Sequence, residues 1–193
     1  MAKKQLVVLG NSAAGIHAID AFRKIDKQCR VTLVDAENRF AYSRVLTTFY
    51  LDDRIAEDGL FIRAGADYRR LGVKTIFGVR ATRVNTQRRI VWLSNGNRLQ
   101  YDSLIIATGA AATEPNIDGI HTPGVFTFRN LDDARAIRKR AETARKIVFL
   151  GAGLVSLETL SALHHPRRGF TVVIGSNQIL SQTLEPEAAS VME

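Results

Sequence analysis

The sequence has 193 residues, 46% of them hydrophobic and 24% charged, which is the composition of a globular protein with one sizeable core or two small ones. Its net charge of +8 comes from basic residues that are spread along the chain without interleaved aromatic side chains, so nucleic acid is not the expected partner. No apolar run approaches the roughly 20 residues of a membrane-spanning helix, and no secretion signal is recognisable, so we expect a cytoplasmic protein without a membrane span.

The first 35 residues have the pattern of a strand, a glycine-bounded loop, a helix and a second strand. Residues 6–9 form a short apolar run, Gly10 and Gly15 bound the loop, and apolar residues then recur at helical spacing. A second apolar run over residues 31–34 ends at Asp35, which completes a βαβ unit of the usual length. Such a loop aims backbone N–H groups and the positive end of the helix dipole at one point, which suits a pyrophosphate.

The loop differs from the dinucleotide-binding fingerprint Gly-x-Gly-x-x-Gly at one position. It runs Gly10-Asn11-Ser12-Ala13-Ala14-Gly15, with serine in place of the second glycine. Serine is small, so a phosphate can still approach and accept a hydrogen bond from its hydroxyl. The fingerprint also calls for an acidic residue about 20 residues further on, and Asp35 meets this condition as an acceptor for the ribose hydroxyls. The alternative is a glycine turn that binds nothing.

Between residues 38 and 110 the pattern changes from loop to short strands. A short helix is predicted at residues 47–51 within a mixed segment, and an acidic loop follows it. Strands are predicted at residues 73–77, 79–84, 89–93 and 99–101. The Asn-Gly pair at residues 95–96 is a hairpin signal, so the last three strands are expected to form a meander. A buried strand at residues 104–107 then closes the first unit.

A second strand, glycine turn, helix and strand follow a predicted helix over residues 131–144, of which Asn130 is the N-cap. The turn is Gly151-Ala152-Gly153, and the third glycine position holds Ser156. The second strand of this unit ends at residue 174 without a carboxylate. The pattern favours nucleotide binding without deciding between NADH and NADPH, and the alternative is a structural βαβ unit with no ligand.

The predicted fold class is therefore α/β, with two Rossmann-like dinucleotide-binding βαβ units, the first of which contains a three-stranded β-meander insertion. Residues 113–126, rich in Ala, Thr, Pro and Gly, are predicted to be a linker between a first domain at 1–112 and a second at 127–193. Residues 185–193 have the pattern of the beginning of a helix, so the second domain is expected to be incomplete.

Three further segments resemble the pyridine nucleotide-disulphide oxidoreductase superfamily, in the branch of rubredoxin, ferredoxin and assimilatory nitrite reductase flavoproteins. They are residues 42–51, which begin Tyr-Ser-Arg-Val-Leu, residues 78–84, and residues 101–110, which contain Ala-Thr-Gly. The resemblance implies that the first domain binds FAD and the second NAD(P)H. It implies FAD contacts for Gly10, Ser12, Ala13, Ala14, Gly15, Asp35, Arg44, Ala81 (through its main chain), Ala107, Thr108 and Gly109, and NAD(P)H contacts for Gly151, Gly153 and Glu158.

The activity implied by the resemblance is that of an FAD-dependent NAD(P)H oxidoreductase. Hydride would pass from NAD(P)H to FAD, and electrons would pass on to an acceptor such as a small redox protein or a nitrite-reducing centre. Disulphide reductase and peroxidase chemistry are disfavoured, because the single cysteine, Cys29, lies outside residues 44–48, where those enzymes carry catalytic cysteines. No side chain is assigned as catalytic or as a metal ligand.

Other interpretations stay open on the sequence alone. Members of the superfamily are much longer, so the chain is expected to be a fragment or to need a partner chain that completes both domains. A noncatalytic nucleotide-binding or assembly subunit is one alternative, and a nucleic-acid-binding protein, on charge alone, is another. The densest basic cluster is interpreted as a solvated helix face, or else as a surface that attracts an anionic cofactor or an acidic carrier protein. It comprises Arg135, Arg138, Lys139, Arg140, Arg145 and Lys146.

Overall fold

The computed structural model of the protein describes residues 4–193, which divide into two units. The first unit contains the chain up to Ser43 together with Phe61–Ala110, and the second contains Arg44–Leu60 together with Ala111–Glu193. Each unit contains a parallel sheet with the βαβ order that the sequence predicts. The α/β class with two Rossmann-like units is thus confirmed.

A four-stranded parallel sheet with strand order β3-β2-β1-β7 forms the centre of the first unit. Its strands are β1 (Gln5–Leu9), β2 (Arg30–Val34), β3 (Val73–Ile76) and β7 (Ser103–Ile106). In the register of the sheet, Leu9 lies beside Val34 and Ile106. The carboxyl ends of these strands therefore meet at one edge of the sheet, the edge at which ligands bind in folds of this kind.

Apolar clusters cover both faces of this sheet, because successive side chains of a strand point to opposite faces. On one face Leu6 and Val8 of β1 pack with Ile19 of helix α1 (Ala13–Ile25). On the other face Val7 and Leu9 pack with Val91 of an antiparallel meander. The meander, predicted from the sequence, consists of β4 (Ala81–Asn85), β5 (Ile90–Leu93) and β6 (Arg98–Gln100).

The second unit is built on a two-stranded parallel sheet of β8 (Lys146–Leu150) and β9 (Gly169–Val173). Its helices are α4 (Leu131–Ala141), α5 (Leu154–Ala162) and α6 (Pro186–Ser190). Helix α4 ends three residues before the predicted end, and Asn130 is its N-cap, as predicted. No helix within residues 4–193 is both long enough and apolar enough to cross a membrane.

Residues 44–60 are grouped differently from the sequence-based domain boundaries, which placed them in the first domain. They form α2 (Thr47–Leu51), at the predicted position, and a short 3-10 helix (Glu57–Leu60), and they belong to the second unit. The reason is packing, because α2 lies against α4 and α5. Two members of the basic cluster form ion pairs with this segment: Arg135 pairs with Glu57, and Arg138 pairs with Asp53. One further helix, α3 (Gly65–Arg70), is short and was not predicted.

Candidate nucleotide-binding sites

The loop between β1 and α1 requires glycine at its first position for two reasons. Gly10 has a φ of +107°, a left-handed conformation that residues with a Cβ rarely adopt. A Cβ at this position would also lie 2.1 Å from the carbonyl oxygen of Ala107. The Gly10 N–H donates to the Val34 carbonyl at 2.8 Å, so the loop is pressed between the ends of β2 and β7.

The last glycine of the loop brings α1 against the loop. A Cβ on Gly15 would lie 1.9 Å from the carbonyl oxygen of Gly10, so no larger residue fits without moving the helix. Ser12 is the N-cap residue, but its side chain makes no capping hydrogen bond, and the first turn contains no acidic residue. The amino end of α1 therefore has N–H groups available to an acceptor outside the chain, and phosphate oxygens fit this arrangement.

Asp35 lies directly after β2 and binds the loop. One carboxylate oxygen accepts the Asn11 N–H at 2.5 Å, and the other accepts the Glu37 N–H at 2.7 Å. Each carboxylate oxygen can accept a further hydrogen bond, and the residue is partly exposed, so its geometry is compatible with binding ribose hydroxyls as well. The ribose contact itself stays a prediction.

Two other predicted FAD segments lie at the same edge of the sheet. The Ala107 N–H donates to the Leu9 carbonyl at 2.7 Å, which places Ala107 beside Gly10, and Thr108 and Gly109 follow it as exposed residues. The Val79 N–H donates to the Asp35 carbonyl at 3.0 Å. Ala81, the first residue of β4, follows two residues later in the sequence. The structure thus brings the loop, Asp35 and these two segments together.

Asn11 and Tyr68 support this loop, and the sequence analysis did not identify them. Asn11 is only 6% exposed, and its side-chain oxygen accepts the Tyr68 hydroxyl at 2.8 Å while its amide donates to the Arg39 carbonyl at 3.2 Å. The Tyr68 hydroxyl also accepts the Ala41 N–H at 3.1 Å. Burial raises the pKa of Tyr68, because the phenolate would be desolvated. Tyr68 is 57 residues from Asn11, so no local pattern could reveal the pair.

The second loop repeats the hydrogen bonds of the first. Gly151 has a φ of +95°, and its N–H donates to the Val173 carbonyl at 2.7 Å, as Gly10 donates to Val34. Gly153 is the N-cap of α5, and its carbonyl accepts the Leu157 N–H at 3.1 Å, as that of Ser12 accepts the Ile16 N–H at 3.0 Å. In this correspondence Ser156 takes the place of Gly15, and Ile174 takes the place of Asp35.

The second loop is more open than the first. A Cβ added to Gly151 or to Gly153 would meet no atom within 4 Å. Gly153 has an ordinary φ of −78°, so neither backbone strain nor packing requires glycine there. No side chain caps α5, and its first turn contains no acidic residue, so this loop also fits an anionic ligand. Glu158 is exposed on α5, and its contact with NAD(P)H stays a prediction.

Arg44 belongs to the second unit, unlike the other predicted FAD contacts. Its guanidinium donates to the Arg129 carbonyl at 3.1 Å, which links the segment before α2 to the segment before α4. The predicted contact of Arg44 with the flavin nucleotide therefore stays a prediction.

Cys29 is buried at the far end of the first sheet from the loop. Its Sγ donates to the Lys4 carbonyl at 3.1 Å, beside the beginning of β2. The five residues of β2 separate it from Asp35, which corresponds to roughly 15 Å. A thiol at this position cannot act at the loop edge. Within residues 4–193 the structure also contains no group of three or more His, Cys, Asp or Glu residues that could hold a metal ion.

Known proteins resemble the chain over most or all of its length. The family model described as Pyridine nucleotide-disulphide oxidoreductase matches residues 4–193. The assimilatory nitrate reductase electron transfer subunit of Bacillus subtilis is 28% identical over 100% of this chain and 25% of that protein. The nitrite reductase (NADH) large subunit of Escherichia coli is 34% identical over 84% of this chain and 19% of that protein. The chain spans about a fifth to a quarter of the length of these curated relatives.

A solved structure agrees with the same assignment. The NAD-dependent persulfide reductase from A. fulgidus superposes with a TM-score of 0.91 and 31% identity, over 98% of this chain and 37% of that chain. The fold of this chain is thus also that of part of a protein named as an NAD-dependent reductase.

Proposed function

This chain belongs to the pyridine nucleotide-disulphide oxidoreductase family, and from this we propose that it supplies the FAD site and the nicotinamide site of an NAD(P)H oxidoreductase. The family is one of oxidoreductases, and its members bind FAD and NAD(P)H. In the proposed reaction, hydride passes from NAD(P)H to FAD and electrons pass on to an acceptor. The observation that carries the proposal is the repeated loop, in which Gly10 bonds to Val34 and Gly151 to Val173.

The first loop and its neighbours are proposed to hold the ADP half of FAD. The amino end of α1 would bind the pyrophosphate, to which the helix dipole contributes about 0.3 to 1 kcal/mol for each charge. Asp35 would accept the ribose hydroxyls, and the main chain of Ala81 would contact adenine. The remaining predicted contacts are Ala107, Thr108, Gly109 and Arg44.

The second loop is proposed to hold NAD(P)H. The N–H groups at the beginning of α5 would bind its pyrophosphate, and Gly151 and Gly153 would let the phosphates approach the backbone. Glu158 would lie near the nicotinamide, as the family resemblance implies. These residues bind and orient the nucleotide, and none of them acts as a nucleophile.

The proposed acceptor is a small redox protein or a nitrite-reducing centre. The names of the Bacillus and Escherichia relatives support this class, since one is an electron transfer subunit and the other a nitrite reductase subunit. A route through a thiol of this chain is not proposed, because Cys29 is buried at the opposite end of the sheet from the loop.

A second candidate is a noncatalytic nucleotide-binding or assembly subunit, or one half of a split flavoprotein. The observation that favours it is the exposed apolar face of the second sheet, where Val148, Leu150 and Val173 are 59%, 54% and 51% exposed. Large exposed apolar patches mark surfaces that contact other protein. In this case the chain would bind nucleotides fully only with the partner that covers this face.

An FAD titration of the purified 193-residue chain tests the first candidate. We expect Asp35→Asn to raise the Kd for FAD about tenfold or more, because a hydrogen bond to a charged group contributes about 1.5 to 3 kcal/mol. The amide oxygen of asparagine can still accept the Asn11 N–H of the loop, whereas the Glu37 N–H loses its side-chain acceptor. The control is Asp118→Asn, at an exposed position in the predicted linker. An equal Kd for both variants would overturn the role of Asp35, and a chain that binds FAD only with a partner would favour the second candidate.

A further inference from the structure

The two units differ at the residue that follows their second strand. In the first unit Val34 accepts the Gly10 N–H and Asp35 comes next. In the second unit Val173 accepts the Gly151 N–H and Ile174 comes next. Ile174 therefore occupies the position of the ribose-binding carboxylate, but its side chain has neither a hydrogen-bond acceptor nor a negative charge.

The segment beyond Ile174 is also uncharged. Residues 174–184 read Ile-Gly-Ser-Asn-Gln-Ile-Leu-Ser-Gln-Thr-Leu, and the first charged side chain after them is Glu185. Before Ile174 in the sequence, the nearest charged residue is Arg168. It precedes the amino end of β9, so the whole strand separates it from Ile174. No charged residue of this segment is thus available to select or repel a phosphate group.

An open cavity of about 430 Å³ adjoins this segment. Amide and hydroxyl side chains dominate its lining, and Glu185 is the single charged residue in it. The lining includes Asn177, Gln178, Ser181, Gln182 and Thr183. Such side chains can donate to a phosphate oxygen and can also exchange hydrogen bonds with a hydroxyl group. The chemistry of the segment therefore suits both the ribose 2′-hydroxyl of NADH and the 2′-phosphate of NADPH.

We propose that the second unit binds NADH and NADPH with similar affinity, and that Ile174 and the neutral segment 175–184 determine this breadth. In dinucleotide-binding folds a carboxylate after the second strand selects the ribose 2′-hydroxyl, whereas a nearby arginine accommodates the 2′-phosphate. This unit has neither group in that segment. The inference rests on the proposed function and extends it by naming the nucleotide class of the second site.

The test is a pair of equilibrium titrations of the 193-residue chain with NADH and with NADPH, followed by nucleotide fluorescence at constant ionic strength. The two Kd values are expected to agree within about tenfold, since tenfold corresponds to only about 1.4 kcal/mol. Ile174→Asp is expected to raise the Kd for NADPH at least tenfold relative to NADH, because the new carboxylate repels the 2′-phosphate. Ser176→Arg is expected to shift the ratio tenfold in the opposite direction.

The control is Ser161→Asp, which adds the same charge at an exposed position on α5 and should leave the ratio unchanged. If Ile174→Asp does not fold, as judged by circular dichroism, Ser176→Arg decides the test. A wild-type preference of more than tenfold for either nucleotide would overturn this inference and leave the proposed function intact. If the ratio of the Kd values for NADPH and NADH is the same in Ile174→Asp and Ser176→Arg as in the wild type, this segment does not determine the nucleotide preference. Binding of neither nucleotide would overturn the proposed nicotinamide site, and this inference with it.

Discussion

The glycines of the two loops serve different physical purposes. Gly10 and Gly15 are required by packing, because a Cβ at either position would collide with a carbonyl oxygen. Gly153 is required by neither packing nor backbone strain, and the space beside it is open to the phosphates of the proposed nucleotide. Since Ser156 stands where the first loop has Gly15, α5 cannot approach its loop as closely as α1 does.

Alanine substitutions separate these two purposes. Gly15→Ala is expected to lower the free energy of unfolding by about 1 to 3 kcal/mol, the usual cost of forcing an extra methyl group into a packed site. Gly153→Ala should change it by less than about 0.5 kcal/mol, but should weaken NADH binding, because its methyl group enters the space open to the phosphates. Urea unfolding and NADH titration measure both effects. Equal destabilisation by the two substitutions would contradict this account.

Tyr68 links the stability of the first loop to pH. The phenol of an unfolded chain has a pKa near 10, whereas burial raises the pKa of Tyr68 in the folded protein. At a pH between these two pKa values, the Tyr68 hydroxyl is protonated in the folded state and deprotonated in the unfolded state. The contribution of Tyr68 is thus fully present below pH 10 and is lost as the pH rises through the folded value.

Tyr68→Phe tests this link. It removes the hydrogen bonds to Asn11 and Ala41, so we expect a loss of about 1 to 3 kcal/mol of unfolding free energy at pH 7. The variant should also lose less stability than the wild type between pH 9 and pH 11. Chemical unfolding at a series of pH values provides the measurement, with Tyr101→Phe as the control at another buried tyrosine. Parallel pH profiles for Tyr68→Phe and the wild type would contradict the assignment.

At the scale of elements, the amino ends of α1 and α4 contrast. The Asn130 side chain accepts the N–H groups of Asp132 at 2.8 Å and Asp133 at 3.0 Å, so α4 is capped from within the chain. Ser12 makes no such bond at the beginning of α1. Helix α4 is thus closed by a structural cap, and α1 has an end that suits a ligand.

Substitution of the two cap residues distinguishes these ends. Asn130→Ala is expected to cost about 1 kcal/mol of unfolding free energy, the typical value of an N-cap side chain. Ser12→Ala should cost less than about 0.5 kcal/mol without ligand, because no capping bond is lost. Thermal unfolding of both variants in the absence of nucleotide measures the difference. A loss at Ser12 as large as that at Asn130 would show that Ser12 caps α1.

The elements that the sequence predicted well are those with local signals. Glycine spacing, short apolar runs and an Asn-Gly turn identify both loops, both βαβ units and the meander. The grouping of residues 44–60 with the second unit was missed, because it depends on contacts such as Arg135 with Glu57, 78 residues apart. The Asn11–Tyr68 pair was missed for the same reason, and α3 because six residues are too few to establish a helical period.

Considered as a whole, the molecule contains two versions of one loop. The first is tightly packed, carries a carboxylate after its second strand and is proposed to bind FAD. The second is open, lacks the carboxylate and is proposed to bind a nicotinamide nucleotide. The central claim is the proposal that this chain binds FAD in its first unit and a nicotinamide nucleotide in its second, and that hydride passes from the nicotinamide nucleotide to FAD.

A visible absorption spectrum of the purified chain tests this claim most directly. The chain is mixed with FAD, unbound flavin is removed by gel filtration, and NADH is then added in the absence of oxygen. The account predicts that flavin absorption elutes with the protein and is bleached by NADH. A protein that elutes without flavin, or whose bound flavin is not bleached by NADH or NADPH, would contradict it.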